Sequence, residues 1–553
     1  MKMTGGQALV AQLLEEGVSD VFGIPGVQLD WAVEALRQQQ DKIRFIVPRH
    51  EQAASYMADG YARTTQKEGV SMVVPGPGML NALSGLATAY ACSSRTLFIS
   101  GQISSDTIGK NLGQLHEIPD QSGILKSLTK WHRLVRQPEE IAEAVHEAFV
   151  ELRSGHPRPV ALEVPPDALQ SEATVEILGA AQERRIAPEA EDVRAAIELL
   201  RSARFPTIHA GGGAIGARAS EAVEKLAEIL QAPVCMTEGG RGLISDDHPL
   251  ALTTLGQRAL LPHTDLVLVL GSRFVDARGL PWHTSDNCKF IYVNLDADHL
   301  GTPRQSGVAI QADVRATAEA LLDALSGHSA EVSRVEQVAK VKAWQTAQTS
   351  QIAPQNQYLD AIRSSMTAED ILVSELTQVG FYANVAMPLS GPRKLVTPGY
   401  QGTLGYGYPT SLGAAAGNPD QRVVSITGDG GFGWGMQELA TANRYGFNVT
   451  VVVFNDGHYG NVHRIQKRVF GETYVSKIAN PEFVTLAKAF GIPSTQVDSP
   501  EGLAAALAKA HETPGPHLVD ARVGEMMSPW GLIHPFVPSA TPAPENPLGT
   551  PHR

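Results

Sequence analysis

The sequence predicts an α/β protein of three domains, each a parallel sheet flanked by helices. Length, a repeating alternation of segments, and two weak joins carry that expectation. At 553 residues the chain is too long for one core, because domains run to roughly 100–200 residues each. Short β-branched runs alternate with amphipathic helical runs, the pattern of parallel strands covered by helices. The first join runs from Val164-Pro165-Pro166 through a Glu/Ala/Arg-rich stretch to Pro188, and the second from Gly327-His328-Ser329 to residue 350. The expected domains are therefore 1–168, 189–327 and 350–535, with 536–553 as a Pro- and Asn-rich tail or lid.

In the first segment, residues 44–47 and 70–74 read as buried strands, and Ile141, Ala144, Val145, Ala148 and Phe149 fall at helical spacing. In the second, 266–270 and 290–293 read as strands. In the third, 422–426 and 449–454 do, each followed by a loop bearing Gly or Asn. Open α/β sheets bind ligands at such carboxyl ends.

Composition excludes several classes. Lys and Arg number 45 against 58 Asp and Glu, a net charge of −13, which disfavours nucleic acid or an anionic membrane as partner. Aromatic residues make up 6%, too few for base-stacking platforms. Hydrophobic residues at 43% and charged residues at 19% argue against disorder. Cys92, Cys235 and Cys288 are scattered without a CxxC, which fits a reducing cytoplasm and no zinc site. The first residues lack a signal-peptide apolar run, and no apolar stretch reaches the roughly 18 residues that a membrane span needs.

The most informative run is Thr427-Gly428-Asp429-Gly430-Gly431-Phe432-Gly433, between a strand and the helical run Met436-Gln437-Glu438-Leu439-Ala440. Glycines let the backbone approach an anion, and a helix start favours negative charge. Asp429 would repel a bare phosphate, so a bridging divalent cation resolves the conflict. A second strand ends at Asn455-Asp456-Gly457-His458-Tyr459-Gly460, and Asn455 follows Asp429 by 26 positions, about one helix plus one strand. Oxygens of Asp429, Asn455 and the Gly457 carbonyl, with two phosphate oxygens and a water, would complete an octahedron suited to Mg²⁺. Either run alone is an ordinary turn; their spacing at two strand ends sets them apart.

The Gly-Asp-Gly run followed by Asn455 resembles the thiamine-diphosphate motif, and residues 3–535 resemble the acetolactate synthase and 2-oxoacid decarboxylase superfamily. That resemblance implies a pyrimidine-binding domain, a central nucleotide-type domain and a diphosphate-binding domain, in that order. It places Gly428, Gly430, Gly431 and Tyr459 at the cofactor. Glu51, in Pro48-Arg49-His50-Glu51-Gln52-Ala53, matches the family glutamate that hydrogen-bonds the aminopyrimidine N1′ and so promotes loss of the thiazolium C2 proton. The residues alone also allow Glu51 a plain role as a dipole-favoured helix start. Leu404, in Gly402-Thr403-Leu404-Gly405-Tyr406, matches the apolar wedge that bends the coenzyme. Thr377 and Gln378, with Gly402, match loops holding the diphosphate. Pro75 and Asn81, in Pro75-Gly76-Pro77-Gly78-Met79-Leu80-Asn81, match the first-domain loop beside the pyrimidine, and Gly26 lies near the entrance. Relatives build the site between subunits, which implies a homodimer or homotetramer.

On the substrate side, Gln114-Leu115-His116-Glu117 matches the synthases' Phe-Gln-Glu region and puts His116 where they carry an active-site glutamine. Lys130 matches a pocket-adjacent lysine. Ile465 stands where synthases preferring 2-ketobutyrate show a tryptophan. Met526 to His534 is an apolar segment able to close over the site. The central Gly211-Gly212-Gly213-Ala214-Ile215-Gly216 is a GxGxxG match without a clearly placed acid; relatives bind FAD or ADP there, or nothing, so the resemblance allows either. The implied function is 2-oxoacid decarboxylation with carboligation. The alternatives are a 2-hydroxyacyl-CoA lyase or oxalyl-CoA decarboxylase type acting on an acyl-CoA, a nucleotide-dependent oxidoreductase, and a catalytically silent coenzyme binder.

Overall fold

The structure, a computed structural model, describes residues 1–276, 278–533 and 545–550. Three six-stranded parallel sheets form the chain's framework. The first contains Asp20–Gly23, Arg44–Ile46, Gly69–Val73, Thr96–Gly101, Trp131–Leu134 and Val160–Val164. The third contains Ile371–Ser374, Leu395–Val396, Val423–Gly428, Val449–Asn455, Ser494–Val497 and His517–Arg522. Counted along the chain within each domain, both have the spatial order 2-1-3-4-6-5. The central sheet, from Pro206–Ala210 to Val308–Ile310, has the order 3-2-1-4-5-6. Runs such as Leu266–Leu270 and Val449–Asn455 are buried along their whole length, as strands covered on both faces by helices must be. The helical spacing around Ile141 becomes the helix Ile141–Leu152. The helical run expected at 436–440 begins as a 3₁₀ turn, Met436–Glu438, and continues as the helix Leu439–Tyr445, after a separate single turn Asp429–Phe432.

The first and third domains share one core, in which Phe22, Tyr56, Met57 and Phe98 join Leu412, Phe432, Val451 and Phe483. Its centre is the crossing of the helices Glu51–Thr65 and Gly407–Gly417. A Cβ on Gly60 would lie 2.1 Å from the Thr410 carbonyl oxygen, and one on Gly413 would lie 2.0 Å from that of Met57. Glycine at both positions is what allows the backbones to meet. Polar contacts pin the crossing: the Tyr56 and Thr403 hydroxyls are 3.1 Å apart, and the Arg49 N–H donates to the Glu438 carboxylate at 3.0 Å. The crossing sets the start of the Glu51 helix beside the loop that carries Leu404.

The central domain has its own core. Leu548 packs against it, and Asn546 Nδ2 donates to the Ala259 carbonyl at 2.9 Å. The rest of the expected tail or lid, 536–544 and 551–553, lies outside the described residues.

Candidate active site

In the third sheet, Ile371–Ser374 and Val423–Gly428 are neighbours whose connections leave toward opposite sides. This switch point opens a crevice at the carboxyl ends, and the Gly-Asp-Gly turn stands there. Asp429 is 2% exposed. Its Oδ2 accepts from the Gly457 N–H at 2.9 Å and from Asn480 Nδ2 at 2.6 Å. Asn455 ends the adjacent strand; its Oδ1 accepts from the same Asn480 amide at 3.3 Å, and its Nδ2 donates to Asp520 Oδ1 at 3.0 Å. One donor reaching both oxygens shows that Asp429 and Asn455 aim at a common point. Burial lifts the Asp429 carboxyl above its ordinary range, the Asn480 hydrogen bond pulling the other way. A cleft of about 590 Å³ opens here, lined by Asn455, Asp456, Gly457, Ile478, Asn480 and Arg522. Asn480 had no sequence signal, being a lone asparagine in an irregular stretch. The Gly457 carbonyl, expected as a third ligand, accepts from the Ile478 N–H at 2.9 Å.

The glycines beside Asp429 are crowded. A Cβ on Gly430 would lie 2.9 Å from the Tyr459 ring, and one on Gly431 would lie 2.1 Å from Glu375 Oε1. Glu375, which sequence reasoning passed over, follows the strand Ile371–Ser374 directly and is 3% exposed. Its Oε1 accepts from the Gly405 N–H at 2.8 Å, and its Oε2 from the Gly407 N–H at 3.2 Å and the Thr427 hydroxyl at 2.7 Å. One carboxylate thus ties the Leu404 loop to the strand leading into the Gly-Asp-Gly turn. Gly402 and Gly405 adopt positive φ, and Leu404 is 42% exposed. Thr377 caps the helix Gln378–Ala386, its hydroxyl accepting from the Gly380 N–H at 2.9 Å. Gln378 Oε1 accepts from Arg464 at 2.5 Å.

At the carboxyl edge of the first sheet, Glu51 opens its helix and accepts from Asn81 Nδ2 at 3.1 Å. A Cβ on Gly78 would come within 3.7 Å of Glu51 Oε1. Gly76 has positive φ, and its N–H donates to Gln121 Oε1 at 3.0 Å. A Cβ on Gly76 would lie 2.3 Å from the His116 carbonyl oxygen, so the His116 loop rests on the turn that follows Pro75. His116 Nδ1 is buried without a partner. A Cβ on Gly26 would lie 2.5 Å from Val74. Glu51, Asn81, Pro75, Gly26 and His116 therefore gather at one edge. Behind them lies a buried network with no sequence signal: Glu163 accepts from Gln102 at 2.8 Å, Gln121 at 2.7 Å, and Ser122 and His132 at 2.5 Å. Lys130 does not join this edge. It precedes the strand Trp131–Leu134, so it lies at the opposite end of the sheet, and its Nζ donates to the Ser154 and His156 carbonyls at 2.8 and 3.1 Å.

No hydrogen bond among the described residues joins Glu51 to the Gly428–Gly431 turn of its own chain. Exposed apolar side chains rim both edges, with Val27, Leu80 and Leu115 on the first and Tyr400, Leu404 and Trp434 on the third. In the central domain the GxGxxG run has a packing role: a Cβ on Gly211 would lie 2.4 Å from the Gly271 carbonyl oxygen, and one on Gly213 would lie 2.7 Å from its Cα.

Comparison with known proteins follows the same three-part division. Family models of thiamine pyrophosphate enzymes match as the N-terminal TPP binding domain over 3–124, the central domain over 193–321 and the C-terminal TPP binding domain over 375–521. Acetolactate synthase isozyme 1 large subunit of Escherichia coli (strain K12) is 33% identical over 557 residues, covering 97% of this chain and 96% of the relative. A Pseudomonas aeruginosa protein named "Probable 2-ketoarginine decarboxylase AruI" is 34% identical over 499 residues, 88% of each chain. A Methanocaldococcus jannaschii protein named "Probable acetolactate synthase large subunit" is 30% identical, covering 94% of this chain and 91% of that one.

Proposed function

The chain belongs to the thiamine pyrophosphate enzymes, and from that premise we propose that it decarboxylates a free 2-oxoacid and joins the resulting acyl unit to a carbonyl acceptor, using Mg²⁺ at Asp429 and Asn455. The observation that supports this best is the convergence of the Asp429 and Asn455 oxygens on one donor. Hard oxygen ligands suit Mg²⁺, and a cation there would offset the cost of burying Asp429.

Bound thiamine diphosphate supplies an acidic ring carbon and an electron-accepting ring. The chain's residues do the rest. Gly428, Gly430 and Gly431 would let the backbone approach the diphosphate, and the Tyr459 ring packs against Gly430. Thr377 and Gln378, just past the end of the neighbouring strand, would hold the diphosphate. Leu404, held through Gly405 by Glu375, presents an apolar wedge. Glu51 would hold a proton at the pyrimidine N1′, with Asn81 steadying its carboxyl group. His116, with an unengaged Nδ1, moves a proton at the acceptor carbonyl.

Because both edges carry exposed apolar rims, two copies would complete each site, as a homodimer or a homotetramer. No helix among the described residues is long and apolar enough to cross a membrane, and a cytoplasmic location fits the free cysteines. Nothing in this reading requires FAD or ADP in the central domain.

The test strips the protein with a chelator and restores thiamine diphosphate and Mg²⁺ separately and together. Carbon dioxide release from pyruvate and longer 2-oxoacids is measured, with acetolactate or acetoin as products. Release that needs both additions supports the proposal. Cleavage of 2-hydroxyacyl-CoA alone would move the substrate to CoA thioesters. Turnover with a nicotinamide and no thiamine would overturn the reading.

A further inference from the structure

We propose that Arg464 receives a second anionic group of the substrate, one retained through the reaction and lying beyond the reacting 2-oxo end. This rests on the function proposed above and names its substrate class. Arg464 lies on the helix Gly460–Phe470, which follows the Asn455–Tyr459 loop directly. Its Nη1 donates to Gln378 Oε1 at 2.5 Å and its Nη2 to Asn461 Oδ1 at 3.2 Å. Both acceptors are neutral amides. Its Nε is buried without a partner.

Two nearby cations are neutralised, Lys467 by Glu525 at 3.1 Å and Arg522 by Asp520 at 2.9 Å, while Arg468 on the same helix adds positive charge. No carboxylate among the described residues forms an ion pair with Arg464. Burial pulls its guanidinium below the ordinary arginine value, Glu525 and Asp456 opposing from a distance. A partly desolvated guanidinium without a counter-ion is costly to hold, and such groups mark ligand sites. Trp530 closes the same corner, its Nε1 donating to Asn461 Oδ1 at 3.0 Å and its ring lying 4.6 Å from that of Phe381.

Three anions could meet this group. The coenzyme's diphosphate is served by Gln378, whose Oε1 Arg464 occupies, leaving the Nε2 hydrogens for the phosphate. The substrate's own carboxylate leaves as carbon dioxide, and a guanidinium on it would stabilise the ground state over a transition state that is losing that charge. A retained anion carries no such penalty. The class is therefore a free 2-oxoacid with a distal carboxylate. A cationic tail would be disfavoured.

The experiment uses holoenzyme loaded with thiamine diphosphate and Mg²⁺. Glutarate and butyrate are titrated calorimetrically, and kcat/KM is measured for 2-oxoglutarate, pyruvate and a CoA thioester. Glutarate should bind the native enzyme about 10–100-fold more tightly than butyrate, the worth of one charge-assisted pair. Arg464→Gln should erase that ratio, and Arg464→Lys should restore part of it. The kcat/KM ratio of anionic to neutral tail should fall by the same factor, chiefly through KM. Selectivity for the CoA thioester instead of the dicarboxylate would overturn the assignment to a distal carboxylate. Equal binding of glutarate and butyrate by the native enzyme would overturn the proposal. So would an Arg464→Gln effect confined to thiamine diphosphate affinity, measured by fluorescence quenching. Failure of the underlying function reads differently, as absence of thiamine-dependent carbon dioxide release from every oxoacid.

Discussion

Replacing Glu375 by glutamine should loosen the coenzyme site without touching any residue proposed to contact the coenzyme's reacting atoms. The native carboxylate accepts from the Gly405 and Gly407 N–H groups and from the Thr427 hydroxyl. A glutamine amide offers one oxygen, so its NH₂ must face one of the two backbone donors in either orientation. The Thr427 hydroxyl can turn and accept. One buried backbone N–H is left unpaired, at about 1–3 kcal/mol. Because that N–H belongs to the loop carrying Leu404 or to the start of the helix behind it, thiamine diphosphate affinity should fall roughly 5- to 150-fold. Coenzyme titration followed by fluorescence reads the affinity, and urea unfolding of the apoprotein reads the stability.

A pH signature accompanies this. Burial raises the Glu375 carboxyl above its ordinary range, with Thr427, Gly405 and Gly407 pulling it back in part. A carboxyl whose folded value is raised contributes stability that is fully present below its unfolded value and is lost as pH rises through the folded value. Native stability should therefore decline over that window, and Glu375→Gln should lack that component, its penalty shrinking toward higher pH. A variant that matches the native protein in stability, pH slope and coenzyme affinity would refute the reasoning.

Glu51→Gln keeps the side chain's size but removes the carboxyl proton, so turnover should drop about 10²- to 10⁴-fold; single-turnover carbon dioxide release checks this, with coenzyme titration confirming that the holoenzyme still forms. Gly60→Ala sets a methyl group 2.1 Å from the Thr410 carbonyl oxygen, where only backbone movement can make room; a loss of about 1–3 kcal/mol is expected in chemical unfolding, with the helix crossing between first and third domains as the element that yields.

The fold class was legible because its signals are local. Val449–Asn455 is apolar enough to declare a strand buried on both faces, and its observed ends differ from the expected 449–454 by one residue. The helix after the Gly-Asp-Gly turn was less legible. It opens as a 3₁₀ turn, not a regular α-helical turn, and that turn places Glu438 under the Arg49 N–H. Only the packing of the first domain on the third gives that turn its partner.

The same division runs through the site. Asp429 and Asn455 could be paired from spacing alone, because one helix and one strand return the chain to the same sheet edge whatever lies elsewhere. Glu51 could be placed at a helix start from its immediate neighbours. Asn480, Glu375, Gln121 and Arg464 could not. Each is an ordinary polar residue until the fold sets a particular atom against it: Asn480 against the Asp429 and Asn455 side-chain oxygens, Glu375 against three donors from distant segments, Gln121 against Gly76, and Arg464 against Gln378. Spacing along a strand–helix–strand unit is set by backbone geometry, which local residues dictate. The worth of a buried charge depends on its solvation and its partners, and these come from segments dozens to hundreds of residues away that only folding brings together.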